Sequence, residues 1–502
     1  MTFTKPNDTT SRQSCLFPQK NIALIRSILH IDRMDFPLFF LDFFGNRILI
    51  AIVASVHVFI NHPLAVGAWP LVMLMEWWGR RKGDADWDHL MYKITFVLFI
   101  VTTTVGALTG VGIWFTTALI APFGIGTLLR VFFWAWFTEW LVFVSEVVLV
   151  MIYFLTWKRW LAGWQKSLHI GVGALLSGFS WLTMMIIVGI LGFMMGSGNW
   201  PEARTLFSGF FNPIYIPQLA FRTSFAMGTA GLFVWFLLYF FTKKHSDLRR
   251  RAVRFVSGWM LIWSVPFAAS SVWYWQVVPD AMRANVDVGL MTQRFAQWHE
   301  TLAVIMAITL VALLLAALVG LARPKLIPRV ALLIPFILGV WLLGHFERVR
   351  EFIRKPYVIA DYMYSNGVKV SELPVFQRDG ILPYSTYVEH HTVTSANEIE
   401  AGRDVFLVTC SRCHTTSSGV NAVVNKFENL YGTGPWDDAA LTAFINTMHT
   451  SRTFMPPFPG NDREVKALTA YLKELQKNRE LLFGAQAGWT IRNNNQAQTG
   501  TP

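Results

Sequence analysis

Cys410 and Cys413 stand three residues apart with His414 directly after them, in the run Cys410-Ser411-Arg412-Cys413-His414. Two thiols at that spacing can form thioether bonds to the vinyl groups of a porphyrin while the adjacent imidazole ligates the iron, the chemistry of c-type haem attachment. The other uses of a Cys-x-x-Cys pair fit less well. A zinc site needs further soft ligands, and the third cysteine, Cys15, lies at the opposite end of the 502-residue chain. A dithiol redox pair has no need of His414. Haem of this type is attached outside the cytoplasm, so the motif also predicts on which side of a membrane this part of the chain lies.

The residues around the motif predict a small helical domain able to enclose such a ring. Ala396 to Phe406 reads as a helix leading into the motif, with Phe406 and Leu407 placed to pack against the porphyrin. Past a Gly/Pro-rich loop, a second amphipathic helix begins at Asp462, with Val465, Leu468, Leu472 and Leu475 at helical spacing. Between them, Phe454-Met455-Pro456-Pro457-Phe458-Pro459-Gly460 offers Met455 as sixth iron ligand. Its thioether favours reduced iron, and the prolines stiffen the loop that presents it. Met448 and His449 compete for the distal position but fall on an expected helix, which suits them to packing or the surface. On these features residues 396–480 resemble a class I cytochrome c.

The rest of the chain has the composition of a membrane protein. At 53% hydrophobic and 15% charged residues, with mean hydropathy +0.40, it is too apolar for one soluble domain. Apolar stretches long enough to cross a bilayer run over 47–78, 91–113, 129–156, 168–196, 218–242, 252–274, 299–321 and 328–346. Lysine and arginine cluster in alternate connections: Arg80 to Lys82; Lys158, Arg159 and Lys166; Lys243 to Arg251; and Arg323 to Arg329. The positive-inside rule makes these loops cytoplasmic and puts both termini outside, the side the haem motif demands. The net charge of +12 is then a topology signal, and nucleic acid is excluded as a partner. Trp69, Trp77, Trp78, Trp157, Trp160 and Trp164 are expected as interfacial anchors.

The predicted fold is all-α, a polytopic helical bundle with a small helical domain appended. Residues 1–46 form an outer N-terminal segment without a cleavable signal, its stretch Ile22 to Phe44 an interfacial helix. Residues 47–357 form the membrane domain, 358–395 a periplasmic linker, 396–480 the haem c domain and 481–502 a disordered tail. The expected location is a bacterial inner membrane, crossed several times.

Ionisable groups within spans are costly, so each is a functional candidate with a structural alternative. His57 is either a ligand to a b-type haem or a histidine bonded to a neighbouring helix, and His62, five residues on, is the weaker candidate. Glu139 and Glu146, seven apart on the third span, share a face and suit a proton relay, or else pair with Arg130 or a buried hydroxyl. His169 reads as interfacial. Arg222 and His299-Glu300 begin spans near the outer face, where a quinol headgroup or a haem propionate fits, and an arginine fork binds carboxylate bidentately. His345, Glu347, Arg348, Arg350, Glu351, Arg354 and Lys355 close the last span at that face, as a solvated helix end or as a propionate or quinone site.

Residues 40–357 resemble subunit I of the cytochrome bd quinol oxidases. The similarity rests on His57 followed by Pro63-Leu64-Ala65-Val66-Gly67 and Met75-Glu76, on Thr109-Gly110, and on Glu351-Phe352-Ile353-Arg354-Lys355-Pro356-Tyr357. The resemblance implies a b haem on His57, with Glu351 and Arg354 lining its pocket, and a second, homologous membrane subunit as partner. It also exposes departures. Trp114 stands where the family carries a glutamate ligand to its oxygen-reducing haem, and an indole cannot ligate iron. Arg222 stands where the fifth helix carries a haem-ligating histidine, and His299 and Thr301 lie near its usual methionine partner. The quinol loop is reduced to about residues 275–298, and Glu139 or Glu146 matches the family's third-helix acid only with a register shift.

The expected function is electron transfer between membrane quinol and periplasmic c-type carriers, through haem b at His57 and haem c at His414 and Met455. Glu139, Glu146 and Glu347 are the candidates for proton and quinol chemistry. Glu351, Arg354, Arg222 and His299 are candidates for holding haem b. Two alternatives stay open: a divergent terminal oxidase that reduces oxygen, and a haem-free anchor that tethers the cytochrome domain within a larger complex.

Overall fold

The structure, a computed structural model, describes residues 36–243, 246–286, 299–419 and 421–478. Most of the expected N-terminal interfacial helix, the 481–502 tail and residues 287–298 lie outside the described residues. Eight helices among the described residues are long and apolar enough to span a bilayer: Asn46–Lys82, Ala85–Ile120, Pro122–Thr156, Gly163–Met195, Tyr215–Phe241, Asp247–Val277, Ala303–Ala322 and Arg329–Ile353. Each overlaps one predicted apolar stretch, and most run well beyond it. A helix rises about 1.5 Å per residue and the hydrocarbon core is about 30 Å thick, so the longest extend polar turns past the lipid. The chain is a multi-pass membrane protein.

The fifth span is the most enclosed of the eight, and it packs against the first, fourth, sixth and eighth. Its close approach to the first span has a local cause. Residues Asn61–Gly67 of the first span form a π-helical segment, and a Cβ on Gly67 would meet the carbonyl oxygen of Ala226 at 2.1 Å. Only glycine lets the two backbones touch there. The second and third spans instead present an apolar outer surface, with Leu108, Val111, Phe115, Phe133, Trp134 and Trp140 all exposed.

The C-terminal domain sits at one end of the bundle, here termed the outer end. Its motif helix, Glu398–Thr409, crosses the helix Asp462–Lys477. A Cβ on Gly402 would meet the Ala467 carbonyl at 2.0 Å, so the crossing is as tight as backbone allows. Val405, Phe406, Leu468, Tyr471 and Leu472 fill the core between the two helices.

Residues 358–395 are sewn into this domain. Their hairpin pairs Tyr357–Ile359 with Met363–Tyr364, and a short helix follows at Leu373–Asp379. Glu464 accepts the backbone N–H groups of Ile381 and Leu382 at 2.8 and 2.9 Å. Asp404 accepts those of Glu389 and His390 at 3.1 and 2.9 Å. The segment before the first span is tied in as well. Phe40 meets Phe406 edge to face at 6.2 Å, and the Asp42 carboxylate accepts the Thr416 backbone N–H at 2.6 Å.

Trp69 and Trp157, expected as interfacial anchors, are each only 1% exposed. They pack around Tyr153 in the bundle core, while Trp77, Trp78 and Trp164 are exposed as anchors require.

Candidate functional site

The motif helix ends at Thr409, and Cys410 caps it. The Cys413 and His414 backbone N–H groups both donate to the Cys410 carbonyl, at 3.0 and 2.9 Å. This tight turn puts both thiols and the imidazole in one small region. Neither cysteine is in a disulfide, and burial pushes the Cys410 thiol up to about 11. The Cys410 sulfur is therefore a neutral thiol, the form from which thioethers are made. The His414 Nδ1 donates to the Asn421 carbonyl at 3.1 Å. That bond fixes the tautomer and leaves Nε2 as the ligating nitrogen. Burial also lowers the imidazole to about 4, with the Asn421 bond partly opposing it, so the ring is neutral near pH 7, as a ligand must be. This donor set fits a covalent haem.

On the distal side, Met455 lies in the Pro-rich loop after the helix Asp438–Ser451. His449 is part of its support. Its Nδ1 donates to the Met455 carbonyl at 2.6 Å, so the ring steadies the loop and that nitrogen is already engaged. Phe454 packs on Phe352 of the eighth span with ring centroids 5.3 Å apart, so the loop rests on the membrane part.

Glu351 and Arg354 are brought together at this same outer end, as an ion pair. Glu351 also lies 3.7 Å from Arg47 at the start of the first span and 3.6 Å from Lys355. Lys355 is held down to about 8, by burial and then by Arg47, and Cys413 lies near enough to act on it electrostatically. The group thus borders the haem c motif. His57 lies ten residues past Arg47, about 15 Å further along the helix.

His57 packs against the second span. The Thr109 hydroxyl donates to the Val105 carbonyl at 2.7 Å, so it receives the His57 Nδ1 proton at 3.2 Å. Nε2 is again the free nitrogen, which fits an iron ligand. His62 is differently placed. Its Nδ1 donates to the Val58 carbonyl at 3.2 Å, and its Nε2 accepts from Arg222 Nη1 at 2.8 Å. Trp114 packs on Trp136 with centroids 4.5 Å apart.

Glu146 is buried and accepts from the hydroxyls of Ser180 and Thr183 at 2.7 and 3.2 Å, whereas Glu139 is half-buried one heptad away. Glu347 receives Arg350 at 2.6 and 2.9 Å. The side chain of His299 lies outside the described residues. His169, expected at the interface, is instead fully buried. It bonds Glu76 at 2.7 Å, beside Lys166, which lies 2.7 Å from the same oxygen. No periodicity announces this cluster; the one hint is an acid and a histidine at the inner ends of two apolar stretches.

Comparison with known proteins agrees with this division. Residues 397–472 match the family described as cytochrome C oxidase, cbb3-type, subunit III. These residues form a cytochrome c domain. The match implies covalent haem c on the Cys410 to His414 motif. No curated protein matches the chain. Among solved structures, the bd oxidase of Geobacillus thermodenitrificans is similar with a TM-score of 0.53 and 16% identity, over 62% of this chain and 87% of that one. At that identity the likeness is one of fold: the membrane part has a bd oxidase-like architecture, and the cytochrome c domain is carried on it.

Proposed function

We propose that the chain is a membrane-bound cytochrome that moves electrons between the quinol pool and c-type carriers, through haem b on His57 and haem c on His414 and Met455. The observation that carries this reading is the docking of the cytochrome c domain. Its Met455 loop rests on the eighth span through Phe454 and Phe352, and Arg47, at the head of the helix bearing His57, acts electrostatically on His414. Both proposed ligands therefore hang on elements that meet at one place.

Each haem, when bound, supplies a reversible one-electron change at iron. The chain's own residues hold it: His57 and His414 through Nε2, the two cysteines covalently, and Met455 by its thioether. Glu139 and Glu146 are proposed to carry protons along the third span, and Glu347 to serve quinol at the outer face. The edge-to-face indoles of Trp114 and Trp136 put no ligand where an oxygen-reducing haem needs one, which favours electron transfer over oxygen reduction. The exposed apolar surface of the second and third spans suits a second helical subunit. The setting proposed is a bacterial inner membrane with the cytochrome c domain periplasmic.

The test is the ratio of haem b to haem c, read from a pyridine haemochrome spectrum of the purified full chain. The wild type is expected to hold both, and His57→Ala to lose haem b while keeping haem c. A wild type with haem c alone removes the route through the membrane.

A further inference from the structure

Arg222, Gln218 and Glu347 carry buried polar atoms that find no partner among the described residues. Gln218 and Arg222 are one turn apart on the fifth span and share a face. Gln218 Nε2 donates to the Tyr274 hydroxyl of the sixth span at 3.1 Å, which leaves its Oε1 unmatched. Arg222 gives Nη1 to His62 and leaves Nε and Nη2 unmatched. On the eighth span, Glu347 uses Oε2 for Arg350 and leaves Oε1 unmatched. Tyr274 and Glu347 both act electrostatically on Arg222, so the three groups share one neighbourhood.

These residues are 3%, 0% and 8% exposed, in the order Arg222, Gln218, Glu347. An unmet buried hydrogen bond costs about 1–3 kcal/mol, and the bilayer core has no water to relieve it. Two orphaned donors and two orphaned acceptors in one buried cluster describe a site that a ligand completes.

The pattern also selects the ligand. A carboxylate such as a haem propionate only accepts; it would satisfy Arg222, leave Gln218 Oε1 unmatched and be repelled by Glu347. A hydroxyl accepts and donates. The side chains around these groups are aromatic: Phe221 lies 5.4 Å from Tyr274 and 5.3 Å from Phe346, and Phe225 lies 6.1 Å from both His62 and Phe267. Aromatic surroundings suit a planar ring.

We infer that Arg222, Gln218 and Glu347 bind the hydroquinone headgroup of a membrane quinol, Arg222 donating to a ring oxygen and Gln218 and Glu347 accepting from hydroxyl. This rests on the quinol reading above and gives it a place, between the first, fifth, sixth and eighth spans. Arg222 is thereby assigned to substrate.

The experiment uses the full-length, haem-loaded protein in lipid nanodiscs, with decylubiquinol as electron donor, ferricytochrome c as electron acceptor and an azido-ubiquinone as photolabel. Gln218→Leu is expected to raise KM about fivefold, as loss of a neutral hydrogen bond does, and Arg222→Gln and Glu347→Gln about tenfold or more. The haem b to haem c ratio should be unchanged in all three, and the label should map to residues 215–227 or 340–353. Unchanged KM in all three variants overturns the assignment, as does label confined to other segments. Loss of haem b in Arg222→Gln with normal KM in Gln218→Leu also overturns it, and returns Arg222 to a propionate. A wild type that neither oxidises decylubiquinol nor takes the label refutes the quinol reading itself.

Discussion

Phe352, near the outer end of the eighth span, packs against Phe454 with ring centroids 5.3 Å apart, one residue before Met455. The contact ties the Met455 loop of one domain to a helix of the other. An aromatic pair of this kind contributes about 0.5–1.5 kcal/mol beyond its buried area. Phe352→Ala should therefore speed hydrogen exchange in residues 452–460 by up to about tenfold, since 1.4 kcal/mol is a factor of ten. Exchange as slow as in the wild type would mean that the pair adds nothing to docking.

Met455→Leu separates attachment from ligation. The thioethers to Cys410 and Cys413 do not depend on Met455, so covalent haem should remain. Loss of the thioether ligand should lower the haem c midpoint potential by more than about 60 mV, a tenfold change for one electron. Spectroelectrochemical titration reads the shift directly. His449→Ala should produce a smaller change of the same sign, because it removes only the 2.6 Å bond that steadies the Met455 carbonyl.

What the sequence exposes is what depends on local spacing. The Cys410 to His414 run, the apolar stretches and the alternating basic loops carry the haem motif and the spans without any knowledge of contacts. Contacts between distant residues are another matter. Asp42 caps Thr416 across 374 positions, and His169 reaches Glu76 across 93. The partner of His62 is hidden from the sequence for a more specific reason. The π-helical segment at Asn61–Gly67 advances with i→i+5 bonding, so a reading based on 3.6 residues per turn aims its side chains wrongly. It turns His62 onto Arg222, a pairing that apolar periodicity cannot show. Glu351, which the resemblance offers with Arg354 as lining a haem b pocket, also lies 3.7 Å from Arg47 at the far end of the membrane part of the sequence, a pairing that spacing cannot show.

Glu464 predicts a pH dependence of stability. Its carboxyl is pushed up to about 7 by burial, with bonds from Leu382, Ile381 and Asn461 opposing that shift. A folded pKa above the unfolded value of about 4.5 means that the folded state holds more protons between those two pH values. Stability contributed by this group is then greatest below about pH 4.5 and is lost as pH rises towards 7. The full shift corresponds to on the order of 3 kcal/mol. Denaturation of the full chain, followed by haem c absorbance, should show a lower midpoint at pH 7.5 than at pH 5.5. Glu464→Gln should flatten that difference; an equal slope in the variant would assign the pH dependence to other groups.

The inner end of the bundle offers the sharpest stability test. Glu76 accepts from Lys166 and His169 at 2.7 Å each and from the Tyr153 hydroxyl at 2.6 Å. All four side chains are buried, and they join the first, third and fourth spans, with Asp88 of the second bound to Lys166 at 2.7 Å. Breaking a buried ion pair by removing one partner costs about 3–5 kcal/mol, whereas replacing the whole set with apolar residues is often neutral. Glu76→Ala should strand His169 Nδ1 and the Tyr153 hydroxyl, leave Lys166 with Asp88 alone, and sharply reduce the folded protein recovered from membranes. Glu76→Leu combined with Lys166→Met should recover part of that loss, because the apolar side chains refill the space and the one charge left without its partner, Asp88, is partly exposed. Yield and thermal midpoint of the purified protein measure both. A double variant no better than Glu76→Ala would show that the cluster serves more than packing and charge neutralisation, and would make its proton-carrying capacity the next thing to measure.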